Sequence, residues 1–241
     1  MSTKEHYNNH LGNFYSWMLG NWIEKTDEFY NFLKENSLVP GKNALAIDLG
    51  AGNGLQTIAL AKLGYSVTAI DFNPQLLDEL KKNTSEFEVK VIEADIREYD
   101  KYINSKPSLI VCCGDTISHL ESKEEIRKLI IQFHESLDLS GKIILSFRDY
   151  SNTLEGDSRF IPVKSEETQI HTCILDYEID RVRVTDQLYQ KINSNWVMKI
   201  SSYFKVRLIE SEILSFVKDG GFKVILQKKF QNMIIVVAER E

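Results

Sequence analysis

An α/β fold with a doubly wound parallel core and an antiparallel elaboration is what this chain predicts. Three observations predict it. Apolar strand-like runs alternate with helical patterns from Ala44 to Phe147, the order that builds a mainly parallel sheet with right-handed crossovers. The first strand runs into Gly50, Gly52 and Gly54 and then into a helix, which makes a ligand-binding corner. From Arg159 to Leu208 the alternation stops, and strand-like pieces follow one another.

The 241 residues suit one domain with an elaboration, and 43% apolar residues can supply its core. A net charge of −6 argues against a nucleic-acid partner, which needs a basic face. No run nears the roughly 20 apolar residues of a membrane span. The opening Met-Ser-Thr-Lys-Glu-His has no signal-peptide core. The expected location is therefore the cytoplasm, without membrane contact. Cys112 and Cys113 are adjacent and point to opposite faces of a strand, and Cys173 is distant. They read as free thiols, not as ligands. The five histidines are scattered and no carboxylate triad accompanies them, so no metal is expected.

Taken in order, residues 1–10 are polar and read as loose. Leu11 to Asn36 carries an aromatic-rich helical stripe broken at Gly20-Asn21, which predicts two helices. Packed on the core they are structural; over the ligand they form a lid, with Tyr7, Tyr15, Trp17 or Trp22 facing it. Strand one, Ala44 to Leu49, is apolar apart from Asp48, and its helix ends at Gly64. Strand two ends at Asp71. Asn73 caps the next helix and Pro74 occupies its first position. Strand three, Val89 to Ile92, leads to Asp95. Strand four is Ser108 to Cys113, followed by a helix over Glu124 to Leu137 and strand five, Lys142 to Phe147.

Pieces at Thr168–Ile179 and Val182–Ile192 then precede a turn at Asn193-Ser-Asn195. Beyond it Trp196, Met198, Ile200, Phe204, Val206 and Leu208 alternate with more polar neighbours, giving an antiparallel ribbon. The ribbon covers the substrate or serves as a dimerisation or structural hairpin. Glu210 to Gly220 is the last helix, and Phe222–Leu226 and Met233–Ala238 are the final strands.

Glycine residues spaced G-x-G-x-G differ from the G-x-G-x-x-G of a dinucleotide site. Asp71 lies about 20 residues beyond the turn, where an acid can bond both ribose hydroxyls. A nicotinamide site explains that acid, but not Asp48 and Asp95 as well.

The set Asp48-Leu-Gly-Ala-Gly-Asn-Gly54, Ala69-Ile-Asp-Phe-Asn-Pro74, Ala94-Asp-Ile96 and Ile110 to Leu120 resembles the class I S-adenosylmethionine (SAM) dependent methyltransferases. The likeness covers roughly residues 40–150. It implies a Rossmann-like seven-stranded sheet in the order 3-2-1-4-5-7-6, with the last strand antiparallel. It also implies SAM as cofactor and S-adenosylhomocysteine as product. By that resemblance, 1–40 is a helical lid, 41–150 the SAM-binding core, 158–208 the antiparallel insertion and 209–241 the closing helix and hairpin. Gly50, Ala51, Gly52, Asn53 and Gly54 line the methionine end and Asp48 binds its amino group. Asp71 takes the ribose, Phe72 packs on the adenine, and Asp95 and Ile96 meet its edge. Cys113 and Gly114 pass near the methyl.

Asp115 and His119 follow strand four and are the catalytic candidates, since a histidine can accept a proton near neutrality. Tyr15, Trp17, Arg148, Tyr150 and Tyr177 are the substrate-binding candidates, with Arg148 suited to an anionic group. The expected reaction is methyl transfer to nitrogen or oxygen of a small molecule, in a protein that a homodimer would also suit. The rival readings are a nicotinamide-dependent oxidoreductase and a SAM-binding sensor without turnover.

Overall fold

A computed structural model describes residues 1–241. Its main sheet runs β3-β2-β1-β4-β5-β11-β10. The strands are β1 (Leu45–Leu49), β2 (Ser66–Asp71), β3 (Val89–Glu93), β4 (Leu109–Cys112), β5 (Lys142–Phe147), β10 (Phe222–Phe230) and β11 (Met233–Arg240). The first five pair in parallel, and β11 joins β5 antiparallel. This is the expected order, with the final hairpin as strands six and seven.

Both faces of the central strands are covered, which is why β1, β4 and β5 read as nearly continuous apolar runs. On one face, Phe29, Phe32 and Leu33 of α3 (Trp22–Glu35) and Leu60 of α4 (Leu55–Lys62) pack on Val111, Ile144 and Ile235. On the other, α6 (Lys123–Ser136) and α7 (Glu210–Asp219) set Ile126, Phe133, Ile213 and Val217 against Ile47, Ile110 and Leu145. Asn73 accepts from Leu76 N as the cap of α5 (Pro74–Asn83). No helix is long and apolar enough to cross a membrane.

Residues 1–10 are not loose. Thr3–Asn9 form α1, started by a reciprocal cap between Ser2 and Glu5. His6 on this helix is fully buried. The segment reads as polar because its inward residues are histidines that meet polar partners, and hydrophobic patterning is blind to that. A short α2 (Tyr15–Leu19) follows, and Gly20, with φ of 75°, makes the expected break before α3.

The insertion is a four-stranded antiparallel sheet, β6 (Phe160–Ser165), β7 (Gln169–Tyr177), β8 (Arg181–Ile192) and β9 (Asn195–Val206), in that order. Asn193 and Ser194 turn between β8 and β9 with φ of 48° and 66°, the conformation that tight hairpins favour. The alternation in β9 has an unforeseen sense. Ser201, Tyr203 and Lys205 face inward and are buried, while Trp196, Met198, Ile200 and Phe204 face out. The inner face meets α1 and a polar site, so it is polar itself. β10 continues four residues past its expected end at Leu226. It is an edge strand with much of its surface in water, and lysines there are compatible with pairing on one side.

Candidate active site

The carboxyl ends of β1, β2, β4 and β5 converge on one edge of the sheet, the edge where ligands sit in such folds. β1 leaves through Gly50, whose N–H donates to Ile70 O at 2.8 Å. Its φ is 72°, and a Cβ there would lie 2.4 Å from the Thr116 side chain, so only glycine fits. At Gly52 (φ 53°) a Cβ would meet only Tyr15 Cε1 at 3.8 Å. Here the glycine serves the turn and leaves the loop open. Gly54 caps α4 without a side-chain oxygen, leaving the first N–H groups of the helix available to an anion.

Asp71 ties this loop to β2. Its Oδ2 accepts from Gly52 N at 2.9 Å and its Oδ1 from Asn73 N at 2.8 Å. Burial raises its pKa, and these N–H groups work against the rise. Two of the roughly four acceptor positions of a carboxylate are used, so it retains capacity for a diol. Asp48 is buried on β1 and accepts from Thr57 Oγ1 at 2.5 Å. No cation of the chain pairs with it, and burial pushes its pKa up to about 7. A buried carboxylate without a counter-ion suits the ammonium of a methionine tail. At Gly114 a Cβ would touch nothing within 4 Å. These features fit the cofactor that the motifs imply.

Asp48 also makes a stability prediction. A carboxyl whose folded pKa is raised loses stability as pH climbs from its unfolded value near 4 to its folded value. Asp48→Asn should remove that slope. At pH 8 the variant should be more stable than wild type by on the order of 3 kcal/mol, and at pH 4 nearly equal. Urea unfolding at the two pH values measures this, and parallel profiles would refute it.

The remaining cofactor candidates occupy varied surroundings. Phe72 is half-buried and meets Tyr7 edge-on at 5.5 Å. Asn53 is buried and donates to Ser16 Oγ at 3.0 Å. Ala51 packs with Ala69, Leu77 and Leu80. Ile96 is buried in the large core, and the Cys113 side chain packs beneath α3 and α4. Asp95 is held by Arg97 through its backbone N–H, Nε and Nη2, the last at 2.7 Å. Arg97 also reaches Glu125 at 3.1 Å. Burial would raise the Asp95 pKa, but the Arg97 bonds outweigh it and lower the value.

Past β4 the chain enters the left-handed region at Asp115 (φ 71°) and a 3-10 turn, Thr116–His119. Asp115 is buried and accepts from Lys205 Nζ at 2.6 Å, Arg148 N at 3.0 Å and Tyr150 Oη at 3.3 Å. Burial would raise its pKa, but Lys205 and the Arg148 N–H outweigh that and hold it low. His119 stacks on Tyr203 at 5.6 Å and meets Tyr7 Oη through Nε2 at 3.3 Å, while its Nδ1 is buried without a partner. Burial, then the Lys205 charge, push its pKa down to about 3. It is therefore a neutral imidazole and a weak base.

α1 and α2 lie over this edge. Asn73 Nδ2 donates to Asn8 Oδ1 at 2.8 Å, and Gln75 Nε2 to Gly12 O at 3.0 Å. Ser16 bonds Glu79. On the insertion side, His6 Nε2 meets Asp186 Oδ2 at 3.0 Å and its Nδ1 meets Ser201 Oγ at 2.8 Å. Asp186 also takes His171 Nε2 at 2.9 Å. Burial would raise the Asp186 pKa, but the two imidazole hydrogen bonds prevail and depress it strongly. The cover is thus latched to both the core and the insertion.

Tyr15 is half-buried between two charges. Burial, then Asp71, push its pKa up to about 12, while Arg148 works against them. Arg148 makes no side-chain hydrogen bond or ion pair in the chain, yet its charge reaches Tyr15 and Tyr150. The structure therefore gathers Asp71, Tyr15, Asp115, His119, Arg148 and Tyr150 at one edge. Trp17 and Tyr177 flank it. Trp17 carries Lys164 over its ring at 4.9 Å, and Tyr177 carries Arg207 at 5.4 Å. Lys205, Tyr203, His6 and Asp186 escaped the sequence reading. Their one signal was a lysine sharing a strand face with Ser201 and Tyr203.

Residues 46–141 match the family model described as a methyltransferase domain. Curated relatives include a glycine/sarcosine N-methyltransferase of Aphanothece halophytica, 25% identical over 145 residues, covering 56% of this chain and 55% of the relative. Another, of Parasynechococcus marenigrum, is 28% identical over 134 residues, covering 55% and 46%. The chain spans about half the length of these relatives. Among solved structures, an S-adenosylmethionine-dependent methyltransferase from Clostridium acetobutylicum aligns with a TM-score of 0.74 at 18% identity, over 91% of this chain and 92% of that one. A SAM-bound amino pentose methyltransferase from Micromonospora echinaspora aligns with a TM-score of 0.78 at 13% identity, over 96% and 97%. Residues 46–141 are thus similar to a methyltransferase domain, and the motif residues of that stretch gather at the sheet edge.

Proposed function

We propose that the protein transfers the methyl of SAM to the nitrogen of a small amine that also bears a carboxylate. The observation that carries this reading is Arg148. An arginine free of ion pairs, at the end of β5 and acting on Tyr15 and Tyr150, is suited to a carboxylate, which its fork can hold bidentately. The relatives named as glycine/sarcosine N-methyltransferases and the amino pentose neighbour support a small amine acceptor.

SAM supplies a methyl already activated by its sulfonium. Asp48, the Gly50–Gly54 loop, Asp71 and Asp95 would hold it. What remains for the chain is to present a lone pair in line and to exclude water. With Lys205 paired to Asp115, the free positive charge at the site is that of Arg148, which favours the neutral amine over its ammonium form. An amine so bound needs no strong base, in keeping with a His119 held near 3. An alcohol would need one, which favours nitrogen. Tyr7 and Tyr15, from the covering helices, close the site as a lid. Free thiols suit a reducing compartment, the cytoplasm.

The test pairs amines with and without a carboxylate, such as glycine, sarcosine and methylamine, and reads methylated product by mass spectrometry. Turnover should require the carboxylate. Arg148→Met should raise KM for the carboxylated amine about 100-fold with a smaller change in kcat. Equal turnover of methylamine would overturn the carboxylate reading. SAM binding without transfer to any amine would leave the sensor reading in its place.

A further inference from the structure

Three imidazole nitrogens are buried in this protein with no hydrogen-bond partner: Nε2 of His10, Nδ1 of His119 and Nδ1 of His171. All three lie within or under the N-terminal cover. His10 is buried and joins α1 to the 3-10 turn Leu11–Asn13. Phe14 of the cover packs edge-on against both His10 and His171, with ring centroids 5.2 Å and 5.0 Å away. Tyr7 of α1 lies edge-on over His119 at 5.5 Å. A neutral imidazole can leave such a nitrogen as a bare lone pair. A protonated one turns it into a buried, charged donor with no acceptor, which is strongly unfavourable.

We infer that the cover is a proton-operated gate, closed over unprotonated His10 and His119 and lifted as the pH falls below neutrality. The inference rests on α1 and α2 serving as the lid of the proposed site, and it holds for any acceptor.

The groups around each imidazole agree with this. His10 is faced by His6 on its own helix, by Asp186 of β8 and by His171 of β7. Burial, then His6, lower its pKa. His119 is faced by Tyr7 of α1, by Tyr203 and Lys205 of β9, and by Asp115, which also accepts the Arg148 N–H beyond β5. Burial and Lys205 outweigh Asp115 there and hold the value at about 3. Lifting Tyr7 from His119, and His10 from the insertion, admits water to both rings. Their pKa values then return toward the ordinary value near 6.5. The open form therefore binds more protons, and acid favours it.

The latch does not cancel the effect. His6 and His171 share the Asp186 carboxylate, so a proton on either would favour the closed form. Such a contribution is complete once the pH is below the open-state value of about 6.5, whereas exclusion from His10 and His119 keeps growing as the pH falls. Asp186 itself is held strongly low and stays ionised. Between about pH 6.5 and 5 the slope belongs to His10 and His119, and each excluded proton multiplies the open population by up to about 15-fold.

Hydrogen–deuterium exchange on the full chain without ligands tests the gate, read by mass spectrometry at about pH 6.5 and 5 and corrected for the intrinsic rate. Protection of Thr3–Leu19 should fall at least about 15-fold on acidification, while β4 and β5 keep theirs. His119→Gln and His10→Gln should each shrink the fall, and the double variant should abolish it, whatever its absolute protection. Equal protection of the cover at the two pH values would overturn the proposal. So would a fall that the double variant retains, or one that β4 and β5 share, which is general acid unfolding. No acceptor is present in these measurements, so the carboxylated-amine reading stands or falls separately on its own turnover test.

Discussion

Lys205→Met should destabilise the protein by about 4 kcal/mol, because it leaves the buried Asp115 carboxylate without its cation. For a chain of this size that is a fall in Tm of about 10 °C. The pH dependence should change sign with it. In wild type, Asp115 has a depressed folded pKa. Its contribution is present above the unfolded carboxylate value and is lost as pH falls through the lower, folded one. Without Lys205, burial dominates and the folded pKa rises, so stability should decline as pH climbs through the carboxylate range. Asp115→Asn added to Lys205→Met should recover much of the loss by removing the orphaned charge. His119 reports independently. Lys205 is the second cause of its low pKa, so its NMR titration midpoint should move up in the single variant. Unaltered stability and an unmoved His119 would mean that the ion pair contributes nothing.

Asp71→Ala should abolish cofactor binding in practical terms, weakening SAM and S-adenosylhomocysteine by at least about 100-fold. Two charge-assisted hydrogen bonds to a ribose diol account for that magnitude. The same change unpairs the buried N–H groups of Gly52 and Asn73, so the glycine loop loses its tie to β2. Calorimetric titration should show saturable binding by wild type and little heat with the variant, whose own thermal unfolding confirms that it is folded. Binding within a few-fold of wild type would place the ribose elsewhere.

Much of the core was legible in the chain. Buried parallel strands need apolar residues on both faces, and a sharp strand-to-helix turn needs glycine where φ is positive, so β1, the Gly50–Gly54 loop and Asp71 announce themselves. The Asn73 cap and Pro74 did the same for α5. The N-terminus did not, because His6 and His10 bury against Asp186 and its neighbours and leave no apolar stripe to read. Nor did β9, where Trp196, Met198, Ile200 and Phe204 turn outward while Tyr203 and Lys205 turn in and Val206 joins the core. Periodicity reports that two faces differ; it cannot say which of them meets the protein.

What the sequence determined by itself, then, is the local and repetitive: the alternation of strands and helices, the ligand corner, and the acids at the ends of β1 and β2; the strand order came from the resemblance. Only the tertiary structure decided the electrostatics of the site. Asp115 and Lys205 lie 90 positions apart in the chain, and His6 and Asp186 lie 180 apart. Whether His119 is a base or a neutral imidazole depends first on its burial and then on a charge delivered from a different sheet. Burial and pairing across such separations set protonation, and no local pattern encodes them.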